Sequence, residues 1–168
     1  NADGKAGYYL DPGTYWAKET GDEHGRFEDE YWMVDETVQR FEIKPHEDVS
    51  ITFTNVQYGR LKITKTVEGG GSVEGWQFKI TDAEGKVLDG SPFATDEDGI
   101  ILTGNLLPGQ YTVEELLLEN SLYACKGDNP QTVTITQGEI AEVAFVNALR
   151  TGKVTVEKID ITGSPLAG

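Results

Sequence analysis

The chain repeats itself, and the repeat is out of phase with its ends. Pro12-Gly13-Thr14-Tyr15, followed by Glu19, returns as Pro108-Gly109-Gln110-Tyr111, followed by Glu115, at an offset of 96 residues. Phe53-Thr54-Asn55 returns as Phe145-Val146-Asn147 at an offset of 92, and Gly59 to Lys65 returns as Gly152 to Lys158 at an offset of 93. A period of this size is one small domain, so the 168 residues divide into tandem units instead of sharing one core. The spacing assigns 1–58 to the C-terminal portion of one unit and 59–150 to a complete unit. Residues 151–168 are then the first strand of a further unit.

Within the units, side chains alternate with the period of a strand. Leu61, Ile63, Lys65 and Val67 share one face, as do Trp76, Phe78 and Ile80, then Tyr111, Val113 and Glu115. Thr132 to Thr136 and Val143 to Asn147 alternate likewise, and Asp82 to Gly85, Asp96 to Gly99, Leu107 to Gln110 and Thr136 to Gly138 carry turn chemistry between strands. Short strands at this spacing predict an all-β chain of tandem antiparallel β-sandwich domains, with no helix. Lys153 to Ile159 reads as an isolated strand with no core of its own.

Charge and composition remove several classes of function. Fourteen Lys and Arg against 29 Asp and Glu give a net charge of −15, which disfavours nucleic acid and anionic membrane surfaces as partners. The apolar runs are too short to span a membrane, and the first residues do not read as a signal peptide. One cysteine, Cys125, excludes an internal disulfide, and His24 and His46 match no zinc spacing. No cofactor or metal is expected. Asp96-Glu97-Asp98-Gly99 and Asp22-Glu23 read as solvated turns in preference to calcium loops, and Cys125 as a half-buried strand residue in preference to a reactive thiol. Trp76 belongs with the core, whereas Trp16 and Trp32 leave a carbohydrate platform open.

The chemistry lies where the alternation carries a polar residue inward. Lys65, Glu115 and Asn147 each occupy the last inward position of an apolar strand face. Burying one unpaired charge costs several kcal/mol, so three such residues in one unit are expected to meet. An apolar interior pushes a lysine toward the neutral amine and a glutamate toward the neutral acid. Lys65 would then be a nucleophile held against the Asn147 carboxamide, and Glu115 could polarise the amide and carry the proton to departing ammonia. The product is a Lys–Asn isopeptide bond. On alternation alone the plainer alternative is favoured: a buried Lys–Glu ion pair with the asparagine as hydrogen-bond partner.

These residues resemble a known family. Glu157 to Gly168 is similar to the opening signature of the collagen-adhesin B-type repeat, the SpaA-like or prealbumin-like domain of Gram-positive surface proteins and pilins. Leu107-Pro108-Gly109-Gln110-Tyr111 leading to Glu115 resembles its later hallmark, and Phe145-Val146-Asn147 its closing strand. The resemblance implies a reversed immunoglobulin-type sandwich and turns the expectation toward the bond, with Lys65 as nucleophile, Asn147 as acyl partner and Glu115 as proton shuttle. It also implies an extracellular, cell-wall-attached structural stalk that modifies itself once, not a turnover enzyme. The chain departs from the family after Glu115, where Leu116-Leu117-Leu118 stands in place of an Ala-Pro-x-Gly-Tyr stretch.

The outer units carry the same residue types. The front unit holds Glu19 and Asn55 without an opening lysine strand, and the tail holds Lys158 without a glutamate or asparagine. Two readings follow: the tail of one molecule completes the front unit of another by strand addition, joining Lys158 to Asn55 with help from Glu19, or the chain is a stretch of a longer array. The expected partners are therefore neighbouring repeats and further copies of the chain. The alternative function is a carbohydrate- or protein-binding sandwich without the cross-link.

Overall fold

A computed structural model describes residues 4–20, 32–33, 35 and 37–166. The complete unit begins with β5 (Arg60–Val67), after β1 (Gly13–Lys18), β2 (Trp32–Met33), β3 (Val38–Ile43) and β4 (Val56–Gln57) of the front unit. It continues through β6 (Gln77–Asp82), β7 (Phe93–Ala94), β8 (Ile100–Leu102), β9 (Gly109–Glu115), β10 (Tyr123–Lys126), β11 (Gln131–Ile135) and β12 (Ile140–Leu149). No helix occurs among the described residues.

Two four-stranded sheets, ordered β10-β12-β5-β8 and β11-β9-β6-β7, enclose the core of the complete unit. Alternation sets what each sheet buries: Leu61 and Ile63 from β5 and Phe145 from β12 meet Phe78 and Ile80 from β6 and Tyr111 and Val113 from β9. Phe78 and Phe145 close the contact between the sheets, with ring centroids 5.0 Å apart. The sandwich is antiparallel as expected, except that its first and last strands, β5 and β12, run side by side in parallel, with Lys65 opposite Phe145 and Val67 opposite Asn147.

The front unit repeats this architecture in part. Its β1–β3 pair aligns Tyr15 with Phe41 and Gly13 with Ile43, just as β9–β11 aligns Tyr111 with Val133 and Gly109 with Ile135. The Tyr15 hydroxyl donates to the Asp11 carbonyl at 2.9 Å, and the Tyr111 hydroxyl to that of Leu107 at the same distance. The Gln39 side-chain amide reaches the Thr52 carbonyl, and the Gln131 amide that of Ala144. The sequence repeat is thus a repeat of register and of side-chain contacts.

The expected strand Lys153 to Ile159 is absent, and the segment that repeats the end of β12 also fails to pair. Residues 51–55 still alternate, with Ile51, Phe53 and Asn55 half-buried, yet only Val56–Gln57 pairs as strand. Their counterparts in β12 gain ladder bonds from β5, and among the described residues no strand stands in that place beside the front unit. The tail residues 151–158 form no strand for the same reason; Val154 and Val156 are exposed, and the chain then turns at Asp160 to bridge Ile159 with Pro165.

Because the Phe145 ring fills the space between the sheets, Phe145→Ala should cost about 3–5 kcal/mol. Urea unfolding in an Asn147→Ala background, in which no link between residues 65 and 147 can form, checks this.

Candidate functional site

The largest fully buried side chain among the described residues is a lysine. Lys65, Glu115 and Asn147 are each within 2 % of complete burial, among Phe78, Phe145 and Val113. β5 and β12 bring Lys65 and Asn147 to the inner face of one sheet, diagonally offset by the parallel register. β9 brings Glu115 from the facing sheet. Period 2 selects Glu115 over its neighbour: Glu114 points outward and pairs with Lys79.

One carboxylate oxygen serves both partners. Glu115 Oε1 lies 2.9 Å from Lys65 Nζ and accepts a hydrogen bond from Asn147 Nδ2 at 3.1 Å. The lysine contact is short but lacks hydrogen-bond angles, so its attraction is Coulombic. Glu115 Oε2 and Asn147 Oδ1 have no hydrogen-bond partner. Such orphaned buried atoms cost about 1–3 kcal/mol each, which a fold meant only for stability would avoid. Burial holds the Lys65 amine below its ordinary value of 10.5, against the opposing pull of the Glu115 carboxylate and a smaller one from Cys125.

The backbone fixes these positions. The Lys65 amide donates to the Gly99 carbonyl at 2.7 Å, and Gly99, at φ +76°, passes so close that a Cβ there would stand 2.6 Å from the Lys65 carbonyl oxygen. Asp96 shapes that turn by accepting the amides of Asp98 and Ile100, which accounts for this acidic loop as a turn. Asn129 clamps the Glu115 backbone, accepting its N–H at 2.8 Å and donating to its carbonyl at 2.9 Å.

Glu19 and Asn55 also meet. Asn55 Nδ2 donates to Glu19 Oε1 at 2.8 Å and Glu19 Oε2 is buried without a partner, repeating the Glu115–Asn147 pair without a lysine. Asn55 Oδ1 differs from its counterpart in accepting the Asp35 amide at 2.9 Å. Lys158 lies in the exposed tail and is not brought to this pair within the chain.

Two residues at the site were not assigned to it from sequence. Trp76 places its ring 4.3 Å from Lys65 Nζ. Cys125, opposite Asn147 in the β10–β12 register, has its thiol pushed up by burial and then by the Glu115 charge. Trp76 shares the parity of Phe78, which marked it as core; nothing local to Cys125 signals its register partner. Trp16 and Trp32 are both exposed.

Fold and site together define a prealbumin-like β-sandwich with a buried Lys–Glu–Asn cluster. Residues 59–149 match the sequence model of the family described as SpaA: Prealbumin-like fold domain, and the chain belongs to that family. No curated protein matches. Among solved structures, the chain is similar to GBS52, the minor pilin of Streptococcus agalactiae, at 22% identity and a TM-score of 0.50, covering 88% of this chain and 65% of that one. It is also similar to the Bacillus anthracis TIE protein, at 22% identity and a TM-score of 0.49, covering 94% of this chain and 32% of that one. A third is the group B streptococcus pilus 2b backbone protein, at 19% identity and a TM-score of 0.46, covering 73% and 50%. The chain thus spans roughly one third to two thirds of the length of these structures.

The lowered Lys65 value carries a pH signature in a chain that cannot cross-link. In Asn147→Ala, folding strips the Lys65 proton at pH values where the unfolded chain still holds it. That cost fades as pH rises toward 10.5, so stability should climb with pH relative to Lys65→Met/Asn147→Ala. Urea midpoints of the two variants across the alkaline range check it, a constant difference being the contrary result.

Proposed function

We propose that this chain is a structural stalk segment of a Gram-positive surface protein or pilin, extracellular and attached to the cell wall, whose complete domain is locked by an isopeptide bond between Lys65 and Asn147. Membership of the SpaA family and the pilins among the similar folds support the coarse reading. The observation that carries the fine one is the shared oxygen, Glu115 Oε1, set between the lysine nitrogen and the carboxamide nitrogen in a dry interior.

The reaction balances within these three side chains. Glu115 takes a proton from the Lys65 ammonium, and the freed amine attacks Asn147 Cγ. The new C–N bond forms, Glu115 delivers its proton to Nδ2 so that the Cγ–Nδ2 bond breaks and ammonia departs, and Glu115 then takes the remaining proton from the new amide nitrogen and ends as the neutral acid. The bond forms once per molecule, so the domain is a self-modifying structure and not an enzyme with turnover. By analogy with a disulfide closing a loop of roughly 100 residues, the link stabilises by about 4–5 kcal/mol, and as an amide it resists reduction.

Intact mass tests this directly. The wild-type chain should be lighter than its sequence by one ammonia, and Glu115→Ala and Lys65→Met should each have the unmodified mass. A wild-type chain of unmodified mass would leave a sandwich with a buried ion pair, as in a ligand-binding module.

The Glu19–Asn55 pair supports a second bond of the same kind between molecules. Its partner would be Lys158, in the exposed tail with Val154 and Val156; on becoming a strand beside residues 51–55, as β5 lies beside β12, the tail would turn all three to one face. Concentrated protein should then give a ladder on denaturing gels that Lys158→Ala and Asn55→Ala both abolish. Monomer alone at every concentration would end this part of the reading and leave the Lys65–Asn147 bond untouched.

A further inference from the structure

Lys65 Nζ has a second close neighbour besides Glu115. The Trp76 ring centroid lies 4.3 Å from it, within the range of a cation over an aromatic face. Lys65 Nζ makes no hydrogen bond of good geometry, so the amine is located by Coulombic attraction to Glu115 and by the indole. We propose that Trp76 is a positioning residue: its indole face and the Glu115 carboxylate hold the Lys65 nitrogen between them and keep water from the reacting amine. This inference rests on the isopeptide reading above.

Trp76 is itself held on several sides. Its indole N–H donates to the Ser72 carbonyl at 2.9 Å, and Tyr123 packs edge-on at 5.4 Å and 76°. Its backbone N–H donates to Thr95 Oγ1 at 3.0 Å, while the same hydroxyl donates to the Val73 carbonyl at 2.6 Å. The ring is half-buried, and its residue also lines an open groove with Glu74, Gln77 and Leu117. It therefore stands between solvent and a lysine side chain that is wholly buried.

An aromatic face attracts the ammonium and has no comparable attraction for the neutral amide nitrogen formed by the reaction. The indole seats the lysine before reaction, and its bulk supplies the dry wall that lets the amine lose its proton to Glu115. The titratable groups acting on Lys65 are Glu115 from β9 and Cys125 from β10. Asn147 from β12 is uncharged, β8 contributes only Ile100, Ile101 and Leu102, and Lys79 of β6 faces out to Glu114. Opening the wall to water should return Lys65 toward its ordinary value. The bond-forming rate at neutral pH then falls about tenfold for each unit of that return, and the pH–rate profile moves to higher pH.

The test uses unreacted full-length chains, solubilised in denaturant and refolded by dilution, with ammonia loss followed by intact mass in acid-quenched samples over a range of pH. Trp76→Leu should slow the reaction and shift its profile to higher pH, and Trp76→Phe, which keeps a smaller aromatic face, should restore much of the rate. Tyr123→Leu, which removes the buttress without touching Lys65, should give a smaller slowing in the same direction, and it serves if Trp76→Leu does not fold. Wild-type rate and profile in the folded Trp76 and Tyr123 variants would overturn the role of Trp76 and leave the bond intact. Failure of the wild-type chain to lose ammonia would overturn both.

Discussion

A lysine nitrogen in a dry interior is the constraint around which the complete domain is organised. An ammonium there needs a countercharge, and Glu115 supplies one from the facing sheet at 2.9 Å. Asn147 Oδ1 and Glu115 Oε2 are left without partners beside a cluster of aliphatic and aromatic side chains. An apolar residue at these three positions would serve stability better. In the proposed reaction the arrangement has a reason: the orphaned acceptor would be the oxygen of the acyl group under attack, and forming the amide would remove the charge that made burial costly.

The front unit supplies an internal comparison. Its Glu19–Asn55 pair forms at 2.8 Å with no lysine between its partners, and the carboxylate again keeps one buried oxygen unpaired. The acid and the carboxamide therefore meet without attraction to an amine, even where residues 51–55 form no strand, with the Tyr15 and Tyr111 corners common to both units. The fold arranges two of the three groups, and the opening strand delivers the third.

Much of this was legible in the residues because strand parity is a local property. Lys65 follows Leu61 and Ile63, Glu115 follows Tyr111 and Val113, and Asn147 follows Val143 and Phe145, so each inward position can be read without knowing which strands are neighbours. What escaped depends on partners. The parallel direction of β12 against β5 leaves parity unchanged, and the approach of Trp76 and Cys125 to the cluster is set by loops and register across strands. Residues 51–55 keep the alternation of a strand and form none, since a ladder needs a second chain segment beside it.

The parallel pair also determines what a bond at this place accomplishes. The domain is entered at Arg60, at the start of β5, and left at Leu149, at the end of β12. Because these strands run in the same direction side by side, pulling on the two ends loads their shared ladder in shear. A bond from Lys65 to Asn147 shortens the loaded path to the few residues between Arg60 and Lys65 and between Asn147 and Leu149. Every strand from β6 to β11 would then lie outside the line of force, and the loops between them, Leu116-Leu117-Leu118 among them, would carry no tension. With the same three groups buried between antiparallel neighbours, entry and exit would fall at one end of the ladder, and tension would peel it one hydrogen bond at a time. Under the proposed bond, the chemistry of the cluster and the direction of its strands would serve one mechanical end.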